Sequence, residues 1–444
     1  MLGDSRAGMG GQGAGRKWGG CVHNVVDGLA SPGCYPGGNG EAAVVRSDPA
    51  LGTDQHHGDR SRPLRCCLVA QAFLVNREPV ATVGVVWSQQ NQDFYGRDDA
   101  DLLVELPWRG MTQALIRARI PYLPVHADPV DRDGGRFAVL VLPNLGALSD
   151  AQVDAIRRFV QRGGGLLATG ESSRFNEWGD PRPDFALAEL FGAHVGVPPA
   201  AAGEARRRLE ATETAHTYLR LVPELRGRVD GPIAGTEPAA GGERHPVLRG
   251  FEETDLLPFG GMLERLTLDP TAKVLATFVP AFPVYPPETS WMREPTTDVP
   301  GLLVNTTTTG ARVAYLPSDL DRRFGRDNLP DHGDLLANLV RWPAKDEVPL
   351  IVEGPGLLDC HLYRQAGRLI LHLVNLTSAG SWRQPVHELI PVGPLRIRLK
   401  LPEGIRSRHV RMLVSGHSVS AHRKAEWCHF VIQTVLDHEV VVLG

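Results

Sequence analysis

Beyond residue 79 the chain alternates short apolar runs with stretches in which apolar side chains recur every three or four positions. Residues 137–170 carry this unit most clearly. An apolar run from Phe137 to Leu142 stops at Pro143. Val153, Ile156, Phe159 and Val160 then mark one face of a helix, Gly163 to Gly165 end it, and a second apolar run from Leu166 to Thr169 follows. Ser149 and Gln152 stand at S-x-x-Q spacing, a capping box that fixes where the helix starts. A crossover of this length implies parallel strands with both faces covered, which is why they read as continuous apolar runs.

The same reading extends along the chain. Residues 80–87 predict a buried strand and 89–99 a polar, aromatic loop. The stretch after Pro107 predicts a helix with Met111, Leu115 and Ile116 on one side; 121–125 is a second strand and 184–191 a short helix. The order predicts a doubly wound, mostly parallel α/β sheet. Residues 195–300 break this rhythm. They are rich in Ala, Arg and Glu at 198–212 and in Pro at 278–300, with strand candidates at 219–222 and 273–278, and they read as an insertion or elaborated edge. Residues 301–305 and 311–316 predict a hairpin, 334–342 a closing helix and 343–347 a linker. From 348 onward, strand-like runs at 357–363, 369–376, 395–401, 410–413, 429–435 and 439–443 are separated by turn residues, as in a small all-β sandwich. The expected division is 1–74, 75–345 and 346–444.

Composition narrows the function. Residues 1–68 are rich in Gly, Ser, Asp and Arg and lack periodicity. They read either as a disordered segment or as a leader that is not native, and in both cases as dispensable for folding. The formal net charge of −4 offers no basic excess for nucleic acid. No apolar run reaches the roughly 18 residues of a membrane helix. Six cysteines without C-x-x-C spacing give no zinc pattern and fit a reduced, cytoplasmic setting. The G-x-G-x-x-G match at Gly8 to Gly13 follows no strand, and His387-Glu388 lacks a second His before Pro391. No metal and no cofactor is expected.

In open α/β sheets ligands bind beyond the carboxyl ends of the strands. Three polar segments fall there: Gln90, Asn91, Asp93, Tyr95 and Arg97; Glu171, Arg174 and Glu177; and Asp319, Asp321, Arg322 and Arg323. Arg109 lies on the helix after Pro107. These residue types hydrogen-bond to sugars and stack on them; they would equally form a solvated or subunit-facing set of Arg–carboxylate pairs. The loop Gly170-Glu171-Ser172-Ser173-Arg174 holds neither a Cys nor a G-x-S-x-G elbow, so no catalytic nucleophile is assigned.

Val83-Gly84-Val85-Val86-Trp87-Ser88, Leu106-Pro107-Trp108-Arg109-Gly110-Met111, Val141-Leu142-Pro143-Asn144 and Gly163-Gly164-Gly165-Leu166-Leu167 before Thr169-Gly170 resemble the trimerisation domain of β-galactosidase-type (family 42-like) glycoside hydrolases. His372-Leu373-Val374-Asn375-Leu376-Thr377 and Asp437-His438-Glu439-Val440 resemble the β-domain that follows it. The likeness covers roughly 75–444, and the order of the motifs carries it. It implies a flavodoxin-like fold of the class I glutamine amidotransferase type, a homo-oligomer such as a trimer, and a surface bordering a carbohydrate site. In that family the catalytic carboxylates sit on a preceding (β/α)8 barrel, which needs about 250 residues. The residues before Pro79 do not read as one, so no catalytic residue carries over and the chain is expected to be catalytically incomplete. Two alternatives stand beside this reading: a self-sufficient hydrolase using the strand-end carboxylates, and a pure assembly or carbohydrate-binding protein.

Overall fold

The computed structural model describes residues 73–128, 130–196, 215–225, 243–283, 285–378, 387–402, 404–405 and 409–444; the expectation for residues 1–68 lies outside them. A nine-stranded sheet is built from β1 (Val83–Trp87), β2 (Tyr122–His126), β3 (Val139–Leu142), β4 (Gly165–Thr169), β5 (Ala215–Leu221), β6 (Leu256–Pro258), β7 (Lys273–Pro283), β8 (Pro300–Thr306) and β9 (Arg312–Leu316). Their order across the sheet is β2-β1-β3-β4-β9-β8-β7-β5-β6.

Pairing is parallel from β2 to β9 and antiparallel from β9 to β6. The sheet is therefore mixed rather than mostly parallel. The segment read as an insertion supplies β5, β6 and β7 to the same sheet, because apolar residues such as Leu219, Leu221 and Leu275 continue its buried face.

Helices cover both faces, as continuous apolar strands require. Val83 and Val85 pack with Met111, Ala114 and Leu115 of α1 (Leu106–Arg117). Leu140 and Leu142 pack on the other face with Val153, Ile156 and Phe159 of α2 (Asp150–Gln161). The capping box forms: Ser149 Oγ accepts from the Gln152 N–H, and Gln152 Oε1 accepts from the Ser149 N–H at 2.9 Å. Two helices follow β9, α3 (Leu320–Asp327) and α4 (Pro330–Arg341). α1 and α3 cross so closely that a Cβ on Gly110 would fall 1.7 Å from the Asp321 carbonyl oxygen.

The expected loop at 89–99 is instead helical. Wide π-type turns at Asn91–Gly96 and Asp101–Glu105 flank a 3-10 turn and run into α1. The helix expected over 184–191 is confined to Ala188–Phe191.

The last hundred residues form two antiparallel sheets from β10 (Leu350–Glu353), β11 (Leu358–Gln365), β12 (Arg368–Asn375), β13 (Leu395–Lys400), β14 (His409–Met412), β15 (Ser418–Ser420), β16 (His422–Lys424), β17 (Trp427–Ile432) and β18 (His438–Leu443). One sheet runs β11-β12-β18-β14-β15 and the other β10-β13-β17-β16. Their inner residues share one apolar core, with Leu362 and Leu371 from the first sheet and Ile397 and Phe430 from the second. Glu78–Pro79 adds a short strand to the outer edge of β11. Among the described residues no helix is long and apolar enough to cross a membrane.

Candidate functional site

The carboxyl ends of β3, β4 and β9 meet in one place. Asn144 follows β3, Gly170 and Glu171 follow β4, and Asp319 is the N-cap residue of α3, with Asp321 and Arg322 in its first turn. Asn144 takes a left-handed backbone, φ 44°, which Asn tolerates better than most residues. That turn aims its amide into the neighbouring loops. Its Nδ2 donates to the Tyr95 hydroxyl at 3.0 Å and to the Leu103 carbonyl at 2.7 Å, while its Oδ1 accepts from the Glu171 N–H at 2.8 Å. Gly170 must be glycine: φ is +54°, and a Cβ would sit 2.4 Å from Asn144 Oδ1. Its carbonyl accepts from the hydroxyl of Tyr315, a fully buried ring stacked on Phe191.

Glu171 is buried, and its carboxylate accepts from the Tyr95 hydroxyl at 2.7 Å. Asp319 is also buried; its Oδ1 accepts from the Met262 N–H at 2.8 Å and its Oδ2 from Arg322 Nε at 2.5 Å. A second chain of bonds runs beneath them. The Asn144 N–H donates to Thr169 Oγ1, and that hydroxyl donates to Asp321 Oδ2 at 2.5 Å. Burial pushes the Asp321 carboxyl up to about 6, against the bonds from Thr169 and the Arg322 N–H that favour its charged form.

Pro107, Asn144, Gly170, Glu171, Met262, Glu264, Pro317, Asp319 and Arg322 line a cleft at this edge. The cleft is partly open, and the space within it, about 10 Å³, accommodates about one water molecule.

Of the residues singled out in the sequence, Tyr95, Glu171, Asp319 and Arg322 come together here. Asp321 lies beneath them, its Oδ1 accepting from the Arg322 N–H at 2.8 Å, and several of the others bond elsewhere. Asn91 is buried with its Oδ1 accepting from the Ala147 N–H, and Gln90 Oε1 accepts from Gln152 at the start of α2. Asp93 and Arg97 are exposed, Asp93 accepting from Gln89 and Arg97 donating to the Phe94 carbonyl. Arg109 donates to the Gly325 carbonyl at the α1–α3 crossing. Arg174 donates its backbone N–H to the Glu171 carbonyl, while its Nη1 is enclosed without a hydrogen-bond partner.

Asn144 and Thr169 were missed as side chains with a role. A polar residue directly after an apolar strand, as in Leu142-Pro143-Asn144, was the available signal for the first. Met262 and Glu264 come from the segment read as an insertion, and nothing in their local sequence points to the cleft. Among the described residues no group of three or more His, Cys, Asp and Glu side chains is placed to hold a metal ion.

No protein-family model and no curated protein matches this chain. Solved structures do. α-L-Fucosidase isoenzyme 2 from Paenibacillus thiaminolyticus aligns with a TM-score of 0.57 at 15% identity, covering 85% of this chain and 50% of that one. The β-galactosidase from Bacillus circulans sp. alkalophilus aligns at 0.52 and 14% identity, covering 84% and 42%; that from Rahnella sp. R3 aligns at 0.52 and 15%, covering 85% and 43%. This chain thus spans half or less of each of these three enzymes. At such identities the likeness is one of fold, and the fold is glycoside-hydrolase-related: this mixed α/β sheet with its antiparallel β-sandwich recurs as a portion of those chains.

Proposed function

We propose that this chain is the assembly portion of a β-galactosidase-like glycoside hydrolase: a flavodoxin-like, amidotransferase-type α/β domain that holds copies of the protein together as a homo-oligomer, trimeric in the arrangement the family likeness implies, with a β-sandwich beside it. The strand-end edge carrying Tyr95, Asn144, Glu171, Asp319 and Arg322 borders a carbohydrate site rather than enclosing one. The observation that carries this reading is the alignment over 84–85% of the chain with a fucosidase and with β-galactosidases.

The cleft supports the bordering role, because its space falls far short of a sugar. Glycoside cleavage needs two carboxyls about 5–10 Å apart flanking the bond, one of them an accessible acid. Asp319 is clamped by Arg322 and the Met262 N–H, and Asp321, the carboxyl with the raised pKa, is fully buried against Thr169. The state of these two carboxyls supports the reading that the chain by itself does not cleave the bond.

The test is an assay of the purified chain on p-nitrophenyl β-galactoside and α-fucoside, with light scattering on the same sample. No turnover and an oligomeric mass are expected. Turnover abolished by Glu171→Gln or Asp319→Asn would establish a self-sufficient hydrolase instead, and a monomer at high concentration would remove the assembly role.

A further inference from the structure

The four-stranded sheet of the sandwich carries a row of basic residues on its outer face. Alternation along β13 turns Leu395, Ile397 and Leu399 into the core and leaves Arg396, Arg398 and Lys400 outside. Cross-strand register sets Lys400 opposite Trp427 of β17, and Trp427 opposite Lys424 of β16. A half-buried tryptophan thus has a lysine at the register position on either side, and Arg398 flanks the row two residues along β13. Two carboxylates are interleaved: Glu353 accepts from Arg398 at 3.1 Å, and Glu426 lies 3.6 Å from Lys400. Among the described residues, the four cations Arg396, Arg398, Lys400 and Lys424 against two carboxylates leave a surplus of two positive charges on this face, in a chain whose net charge is −4.

We propose that this face binds an anionic glycan, a uronate-containing oligosaccharide, by stacking a sugar ring on Trp427 and pairing its carboxylates with Lys400, Lys424 and Arg398. Three features of the face select this ligand class. The apolar side of a pyranose needs one flat aromatic platform, and Trp427 provides it. Strand geometry sets Lys400 and Lys424 about 10 Å apart across the sheet, one strand between them, and Arg398 and Lys400 about 7 Å apart along β13, spacings comparable to those of charges on neighbouring sugar units. Sugar hydroxyls are donors, so Glu353 and Glu426 can accept from them, whereas a DNA phosphodiester backbone offers these carboxylates no donor. A single-stranded nucleic acid also uses stacked aromatics, in series along a groove of one charge sign; this face offers one indole among mixed charges. The inference stands apart from the assembly role and does not need it.

The test is affinity electrophoresis of the full chain in gels containing polygalacturonate, neutral galactan or a single-stranded oligonucleotide. Expected is retardation by polygalacturonate alone, lost in about 0.5 M salt. The double variant Lys400→Gln/Lys424→Gln removes two exposed charges and should bind roughly tenfold more weakly at an unchanged melting temperature. Trp427→Leu, which keeps an apolar side chain at the half-buried position, should also weaken binding. No retardation by polygalacturonate, equal binding by the double variant, or tighter binding of the oligonucleotide would each overturn the assignment.

Discussion

Arg119 offers the sharpest test of how this chain holds together. It stands just past the end of α1 with φ 57°, and it is 8% exposed. Its guanidinium reaches across to the sandwich: Nη1 donates to the Val352 carbonyl at 3.0 Å, and Nη2 lies 2.7, 3.0 and 2.7 Å from the carbonyls of Gly354, Pro355 and Gly356. Burial pulls its pKa down from the usual arginine value, so the charge is held at a desolvation cost that the carbonyl dipoles offset. Hydrogen bonds to a charged group contribute about 1.5–3 kcal/mol each, and removing the guanidinium also removes its own burial cost. We expect Arg119→Met to lose about 3 kcal/mol in urea unfolding. We also expect the sandwich and the α/β sheet to unfold in separate steps, because the variant removes a contact that couples them. Arg119→Gly should do better than Arg119→Ala by about 1 kcal/mol, since glycine relaxes the left-handed backbone. Arg119→Lys should recover only part, because an ammonium cannot reproduce the planar fork. A single transition with a loss below about 1 kcal/mol for Arg119→Met would refute the idea that this side chain joins the two sheets.

Two further predictions follow from packing and charge. Gly110→Ala forces a methyl onto the Asp321 carbonyl at the α1–α3 crossing; the helices must separate, and a loss of more than about 3 kcal/mol or failure to accumulate soluble protein is expected, with a wild-type melting curve as the contrary result. Asp321 holds its proton more tightly folded, at about 6, than the carboxyl value of 3.8. Its contribution to stability is therefore full below the unfolded value and declines as pH rises through about 6. Asp321→Asn cannot ionise, so the stability of wild type relative to this variant should fall between pH 4.5 and pH 7.5; parallel pH curves would contradict the burial of that carboxyl.

Much of the local structure was written in short-range pattern. The Ser149–Gln152 spacing predicted a capping box that forms with both bonds, and continuous apolar runs marked β1, β3 and β4 as strands covered on both sides. Alternation at 395–400 already divided core from surface in β13. The polar, aromatic composition of 89–99 pointed to a loop, whereas the turns there are helical, with Asn91 buried and bonded to the Ala147 N–H.

Periodicity along a chain reports which face of an element is apolar, and this a sequence fixes by itself. Which strand lies beside which, and in what direction, depends on contacts between distant segments. Hence only the tertiary structure decided that β5, β6 and β7 extend the central sheet antiparallel, that Glu171 meets Tyr95 from 76 residues away, and that Asp321 is sealed from water. Burial and hydrogen-bond partners set the chemistry of those side chains, and both are properties of the assembled fold rather than of any stretch of sequence.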